Sequence, residues 1–305
     1  MISEFALDPA VVNDWPSFKY IVDQCGVHHG RLISGFPGSW QRMALNLCQI
    51  QGTKRTAIVE KLRNMRYKMM NSNRIYNDQQ EWIVNAEQQH CIKPFHAIIT
   101  TPNPTMDREY VLIADDIEEN TPLWNVRRGK PVPRTAKALA ECAFTLLSIS
   151  KEIIFIDRHF DVKDNDGKEI DRFINTLRYF INFSFINKPV KRIELHLRHN
   201  KRHPIDSNSW ENLCAKIAPL IPKCSNIKVF IWKKKWDGDE IHARYILTER
   251  GGIRYDYGLD EGWKGETTDV DLLDEKLYEE RWKDFQEDTA AFKLVDKMLI
   301  EGTRD

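Results

Sequence analysis

The chain lacks the features that would name a chemistry outright. Its 305 residues contain no Walker loop, no GxSxG elbow and no GxGxxG fingerprint. A P-loop nucleotide site, an α/β-hydrolase nucleophile and a dinucleotide cradle are therefore not expected. The six cysteines (Cys25, Cys48, Cys91, Cys142, Cys214 and Cys224) form no CxxC pair. That spacing excludes a zinc ribbon or a dense disulfide framework and suits reduced, packed thiols. No apolar run approaches the ~20 residues of a membrane span, and no basic-then-apolar leader opens the chain, so the expectation is a cytoplasmic protein without a membrane span. Internal repeats and low-complexity segments are also missing. There is no net charge, with 45 Lys and Arg against 45 Asp and Glu.

What is present is unevenly spread. Residues 260–305 hold 15 acidic against 7 basic residues, so the preceding chain carries the compensating positive excess. Two runs concentrate it: Arg127, Arg128, Lys130, Arg134 and Lys137, then Lys188, Lys191, Arg192, Arg198, Lys201 and Arg202. Such runs either meet phosphates or form solvated loops. Hydrophobic residues at 42% and a length of 305 support one large or two ordinary domains.

Periodicity divides the chain into three. Residues 1–125 read as mainly helical, with helix starts at Pro9-Ala10 and at Asn13–Ser17, the second followed by apolar Phe18, Ile21 and Val22, helices near 40–49, 55–70 and 81–89, and a short hairpin from Phe95–Thr100 and Tyr110–Ala114. The Pro- and Gly-containing stretch 115–134 marks a boundary. Residues 126–270 then alternate helix and strand: a helix from Thr135, a continuous apolar strand at Ile153–Asp157, a helix through Phe173 and Phe180, strands at Arg192–Arg198 and Ile227–Trp232, and a closing hairpin. That order predicts an α/β domain with a mixed sheet. The acidic residues 271–305 read as a C-terminal helix.

The hairpin is the focus. In IHARYILTERGGIRYDYGLD, from Ile241 to Asp260, strand alternation places His242, Arg244, Ile246 and Thr248 on one face. Gly251-Gly252 supplies the turn. Asp157 and His159 end the first strand, where α/β sheets carry their sites, and are expected to support His242. Trp232 and Trp236 flank Lys233-Lys234-Lys235, a pattern that serves either base stacking or a snorkelling strand end. Arg198, Lys201, Arg202 and Lys234 are candidate phosphate ligands. Asp164-Asn165-Asp166-Gly167 has the opening of an EF-hand loop but carries Phe173 at the twelfth position, so it reads as a turn. Cys25, His28, His29, His90, Cys91 and His96 match no familiar zinc spacing. No metal and no cofactor are expected.

The segment from about 135 to 262, with IIFIDRHFD, RIELHLRH, IKVFIW and IHARYILT in that order, resembles a single phospholipase-D-like module. That superfamily is marked by His-x-Lys-x4-Asp, for which His242, Arg244 and Glu249 stand here. The look is closest to the carboxy-terminal phospholipase-D-like domain of MIT-domain proteins. The resemblance implies an α/β fold in which His242 is a nucleophile, Arg244 neutralises phosphoryl oxygens and Glu249 completes the motif. With one motif per chain, it also implies a homodimer that pairs two half-sites. Two readings stay open. One is a phosphodiester-recognising protein, a metal-independent nuclease of a bacterial anti-phage or mobile-element system, with nucleic acid as partner. The other is an inactive binding or adaptor module for a protein partner, nucleic acid or anionic lipid. The Arg-for-Lys and Glu-for-Asp departures favour the second, because a guanidinium binds oxygens as a planar fork rather than a point charge.

Overall fold

The computed structural model describes residues 1–101, 108–160, 171–186, 188–199, 207–238, 240–242 and 244–305. It divides into two α/β units, residues 1–128 and 129–305. Among the described residues, no helix is long and apolar enough to cross a membrane.

The first unit contains the expected helices, but a sheet organises them. Strands β1 (Ser3–Leu7), β2 (Arg31–Gly35), β3 (Met69–Asn71), β4 (Ala97–Thr100) and β5 (Val111–Ile113) run in the order β3-β2-β1-β4-β5. All neighbours are parallel. The hairpin expected from Phe95 to Ala114 is therefore a parallel pair, β4 beside β5. The reason is burial on both faces. Phe5, Leu7, Ala97 and Ile99 pack with Phe18 and Ile21 of α1 (Trp15–Asp23), Trp40 of α2 (Trp40–Leu47) and Ile58 of α3 (Thr53–Asn64). Ala6 and Ile98 pack with Trp82 and Ala86 of α4 (Trp82–Ile92) on the other. Strands covered on both sides give short apolar runs without alternation, which is why β1 and β2 carry no strand signature.

The second unit is built on eight strands: β6 (Gly129–Pro133), β7 (Glu152–Asp157), β8 (Arg192–Arg198), β9 (Asn226–Lys233), β10 (Tyr245–Thr248), β11 (Gly251–Tyr255), β12 (Thr267–Leu272) and β13 (Lys293–Glu301). Their order is β13-β9-β8-β7-β10-β11-β12-β6. The pairs β7–β8 and β8–β9 are parallel, and all others are antiparallel. The mixed sheet is thus as expected. Helices α5 (Ala136–Ile149), α6 (Arg172–Ser184) and α7 (Ser207–Ile217) fall between strands, and α8 (Glu275–Asp284) follows β12. The Thr135 hydroxyl caps α5 by accepting from the Ala138 N–H at 3.3 Å. Phe155 of β7 stacks on Phe180 of α6, with ring centroids 5.5 Å apart. Ile154, Ile156, Phe230 and Trp232 face a core that includes Leu277 and Phe285 from the α8 side.

The acidic tail departs from the expected helix. Only Glu275–Asp284 is helical, and Lys293–Glu301 pairs along β9 with a bulge between Leu294 and Asp296. The apolar spacing of Leu294, Met298 and Leu299 suits a helix, but pairing with the open edge of β9 prevails, as tertiary context often does over propensity. The tail is therefore part of the sheet. Truncation after Phe292 should expose the β9 edge and produce aggregation. Static light scattering checks this; a soluble monomer with an unchanged melting midpoint would contradict it.

Candidate functional site

The apolar run Ile153–Ile156 is wholly buried and carries Asp157 to the C-terminal end of β7. Asp157 is 0% exposed. Its Oδ1 accepts the His159 N–H and its Oδ2 the Leu259 N–H, both at 2.8 Å. Burial outweighs these two bonds and pushes the carboxyl up to about 6, with Asp260 adding to the rise. A Cβ on Gly258 would stand 2.5 Å from Asp260 Oδ1 and 3.3 Å from Asp157 Oδ2, so this close approach requires glycine.

Two residues meet over this carboxylate because β10 runs antiparallel to β7. Tyr245 pairs with Ile156, so Arg244 arrives at the level of Asp157. Arg158 lies between two imidazoles: Nε donates to His159 Nε2 at 2.7 Å, and Nη1 lies 2.8 Å from His242 Nδ1. A guanidinium only donates, so each ring accepts through the nitrogen it presents. His159 thereby carries its proton on Nδ1 and His242 on Nε2. His159 is lowered to about 4 by burial, with Arg158, Arg244 and Arg198 reinforcing the shift. Burial also lowers Arg158, followed by the like charges of Arg244 and Arg198. Arg244 donates from Nη1 to the Asp256 carbonyl at 2.8 Å, while its own carbonyl accepts the Tyr255 N–H at 2.9 Å. Arg198, at the end of β8, pairs with Glu240 at 3.2 Å. Lys234 is exposed just beyond β9, and Trp236 is 101% exposed in the same connection.

Of the expected site residues, the structure brings together Asp157, His159, His242, Arg244 and Arg198 at one end of the sheet. Lys201 and Arg202, like His203 and the Asp164–Gly167 turn, lie outside the described residues. Glu249 is not in this group. It sits in the β10–β11 turn, which is Glu249-Arg250 rather than the expected Gly251-Gly252, since those glycines pair in β11 with Thr248 and Leu247. Its carboxylate accepts the Lys151 and Glu152 N–H groups at 2.8 and 3.0 Å. It fastens the hairpin to the start of β7, a full strand length from His242, and four strand residues span about 13 Å. The regular part of β10 also begins at Tyr245, so His242 and Arg244 precede it. Arg158 carries no sequence motif of its own, although it stands between the expected Asp157 and His159. A cation directly after a buried strand ending in Asp was the available signal.

Much of the remaining basic charge is committed elsewhere. Arg134 binds Asp260 and Glu266 at 3.0 and 2.8 Å, Arg192 binds Glu152 at 2.9 Å, and Lys188 caps the Ser184 carbonyl at 2.8 Å. His196, buried in β8, accepts from the Trp232 indole at 2.9 Å and lies 3.1 Å from Glu194, so it belongs to the core. In the first unit, Cys25 is buried with its thiol pushed up to about 12, His90 stacks on Tyr110 at 4.0 Å and His96 meets the Leu123 carbonyl at 3.0 Å. Among the described residues no three His, Cys, Asp or Glu side chains gather as metal ligands.

No protein-family model matches the chain. A comparison with curated proteins also gives no match. Among solved structures, an archaeal chromatin protein, TrmBL2, whose structure shows a novel mode of DNA binding, is similar at 14% identity and a TM-score of 0.28. The likeness covers 56% of this chain and 55% of that one. At that level it carries no argument about fold or function.

The two perturbed groups at β7 act on stability with opposite signs. His159 takes its proton later in the fold than the usual 6.5, so its contribution is complete above 6.5 and is lost as pH falls through about 4. Asp157, raised from 3.8, contributes fully below 3.8 and loses that contribution as pH rises through about 6. Replacing Arg158 by Leu should move His159 upward from about 4. An NMR titration of the ring protons reads this, and an unchanged value would contradict the arrangement.

Proposed function

We propose that residues 129–305 form a phospholipase-D-like module that recognises phosphodiesters, single-stranded nucleic acid above all, by binding rather than by hydrolysis. The observation that carries this reading is the convergence of Arg158, Arg198 and Arg244 on one strand end, where Glu240 pairs with Arg198 at 3.2 Å and the buried Asp157 is the other carboxylate facing the cluster among the described residues. Guanidinium forks match phosphate oxygens bidentately. Trp236, fully exposed beside Lys233 and Lys234, offers a stacking face next to the cations. Binding is preferred to hydrolysis because Arg158 holds His242 with the proton on Nε2, leaving no lone pair on the outward nitrogen for attack on phosphorus. Glu249, the third position of the family motif, is engaged in the hairpin turn.

The nuclease reading keeps one observation in its favour: His242 is exposed and stands two residues before Arg244. There His242 would be the nucleophile and Arg244 the oxyanion ligand, in a homodimer serving an anti-phage or mobile-element system.

Fluorescence anisotropy with a labelled single-stranded oligonucleotide separates the two. Arg158→Ala and Arg244→Ala should each weaken binding by about tenfold, and each should reduce the log–log salt slope by about 0.7. His242→Ala should bind almost as the parent does. Salt-insensitive binding, or none, would overturn the proposal, and cleavage abolished by His242→Ala would establish the nuclease.

A further inference from the structure

The first unit contains a cavity of ≈ 320 Å³ at the N-terminal end of β2. Its position follows from local sequence. The segment Gly26-Val27-His28-His29-Gly30 closes on itself, with the Gly26 N–H donating to the Arg31 carbonyl at 2.7 Å and the Arg31 N–H to the Gly26 carbonyl at 3.2 Å. Gly30 takes the left-handed conformation at φ 72° that lets the loop turn into β2. The loop sets His29 and Arg31 on the cavity wall, facing Tyr20 and Gln24 from α1 and its end, and Trp124 and Arg128 from the last segment of the unit.

Arg31 is only 9% exposed. Its Nε donates to the Trp124 carbonyl at 2.7 Å and Nη1 to the Gln24 carbonyl at 3.0 Å, and the guanidinium lies 4.4 Å over the Trp124 ring. These contacts lock the fork in place and leave Nη2 without a protein acceptor among the described residues. Neither Arg31 nor Arg128 has a carboxylate within 4.0 Å among those residues, and Glu119 is the acidic residue on the cavity wall. A buried cation without a counter-charge is unfavourable unless something supplies one. The surroundings deepen the deficit: burial lowers His29 to about 4, and His28, Arg31, Lys68 and Arg128 add to that shift. The site is thus a preformed, polar, positively biased cavity with a rigid fork at its base and a second guanidinium at its rim.

We propose that this cavity binds a small phosphate monoester, with Arg31 as the fixed fork at its base and Arg128 as the closing cation. A phosphate group presents three acceptor oxygens, enough to engage Arg31, Arg128 and one of the neutral donors on the wall. The volume lies at the lower end of the small-ligand range, so the phosphate and a compact organic body fit together. All of the lining residues belong to the first unit, so the proposal stands independently of the strand-end site of residues 129–305.

The test is NMR titration of the full chain, following the ring signals of His29, with inorganic phosphate as probe and acetate as the control anion. Saturable shifts of His29 at millimolar phosphate are expected, with little response to acetate. Arg31→Lys keeps the charge but loses the fork and should weaken phosphate binding about tenfold. Arg128 is exposed, so Arg128→Met leaves the core intact and should also weaken binding. A silent His29, an equal response to acetate, or unchanged affinity in both variants would overturn the assignment. Shifts confined to His159 and His242 would likewise overturn it, while leaving the strand-end site standing.

Discussion

The carboxylate of Asp157 joins three parts of the larger unit that are distant in sequence. It ends the buried strand β7, receives the N–H of the turn that begins the Arg158-His159 pair, and receives the Leu259 N–H from the segment after β11. Without that acceptor the buried Leu259 N–H would lack a partner, at about 1–3 kcal/mol, and the more exposed His159 N–H would lose its anchor. Gly258 allows the approach because any side chain there would displace Asp260 or Asp157. Arg134 and Arg172 on Asp260, at 3.0 and 3.9 Å, hold the same corner from outside.

The consequence for chemistry is a division of labour between the two ends of β10. At one end His242 and Arg244 meet Arg158 and His159 over the buried carboxylate. At the other, Glu249 binds the main chain where β7 begins. A motif that the sequence presents as one line is split by a strand, and the parts serve different purposes. What remains at the open end is a cluster of three guanidiniums with fewer carboxylates than cations, and it is on this that the proposed phosphodiester binding rests.

The second unit was legible in the sequence because its elements are long and its signals local. The apolar β7 and the Thr135 cap of α5 announce themselves, the glycine pair marks the hairpin although the turn itself falls on Glu249-Arg250, and the mixed sheet follows. The first unit was less legible. Its strands are three to five residues long and buried on both faces, so Phe5-Ala6-Leu7 and Leu32-Ile33 show no alternation. The C-terminal strand was hidden by helix-like spacing and decided by a partner, β9, far away in sequence. At the candidate site, His242, Arg244, Asp157 and His159 could be named in advance because histidines and strand-end acids draw notice. Arg158 could not, since its importance comes from lying between two imidazoles that only the fold brings together.

The central claim is that this guanidinium holds His242 in a non-nucleophilic tautomer at the strand end for which we propose phosphodiester binding. Nitrogen-resolved NMR of the histidine rings, with and without a single-stranded oligonucleotide, tests it most directly. The account predicts His242 with its proton on Nε2, and shifts at His242 and His159 on adding the oligonucleotide while the buried His196 stays silent. A His242 ring with the proton on Nδ1, or rings indifferent to the oligonucleotide, would contradict it.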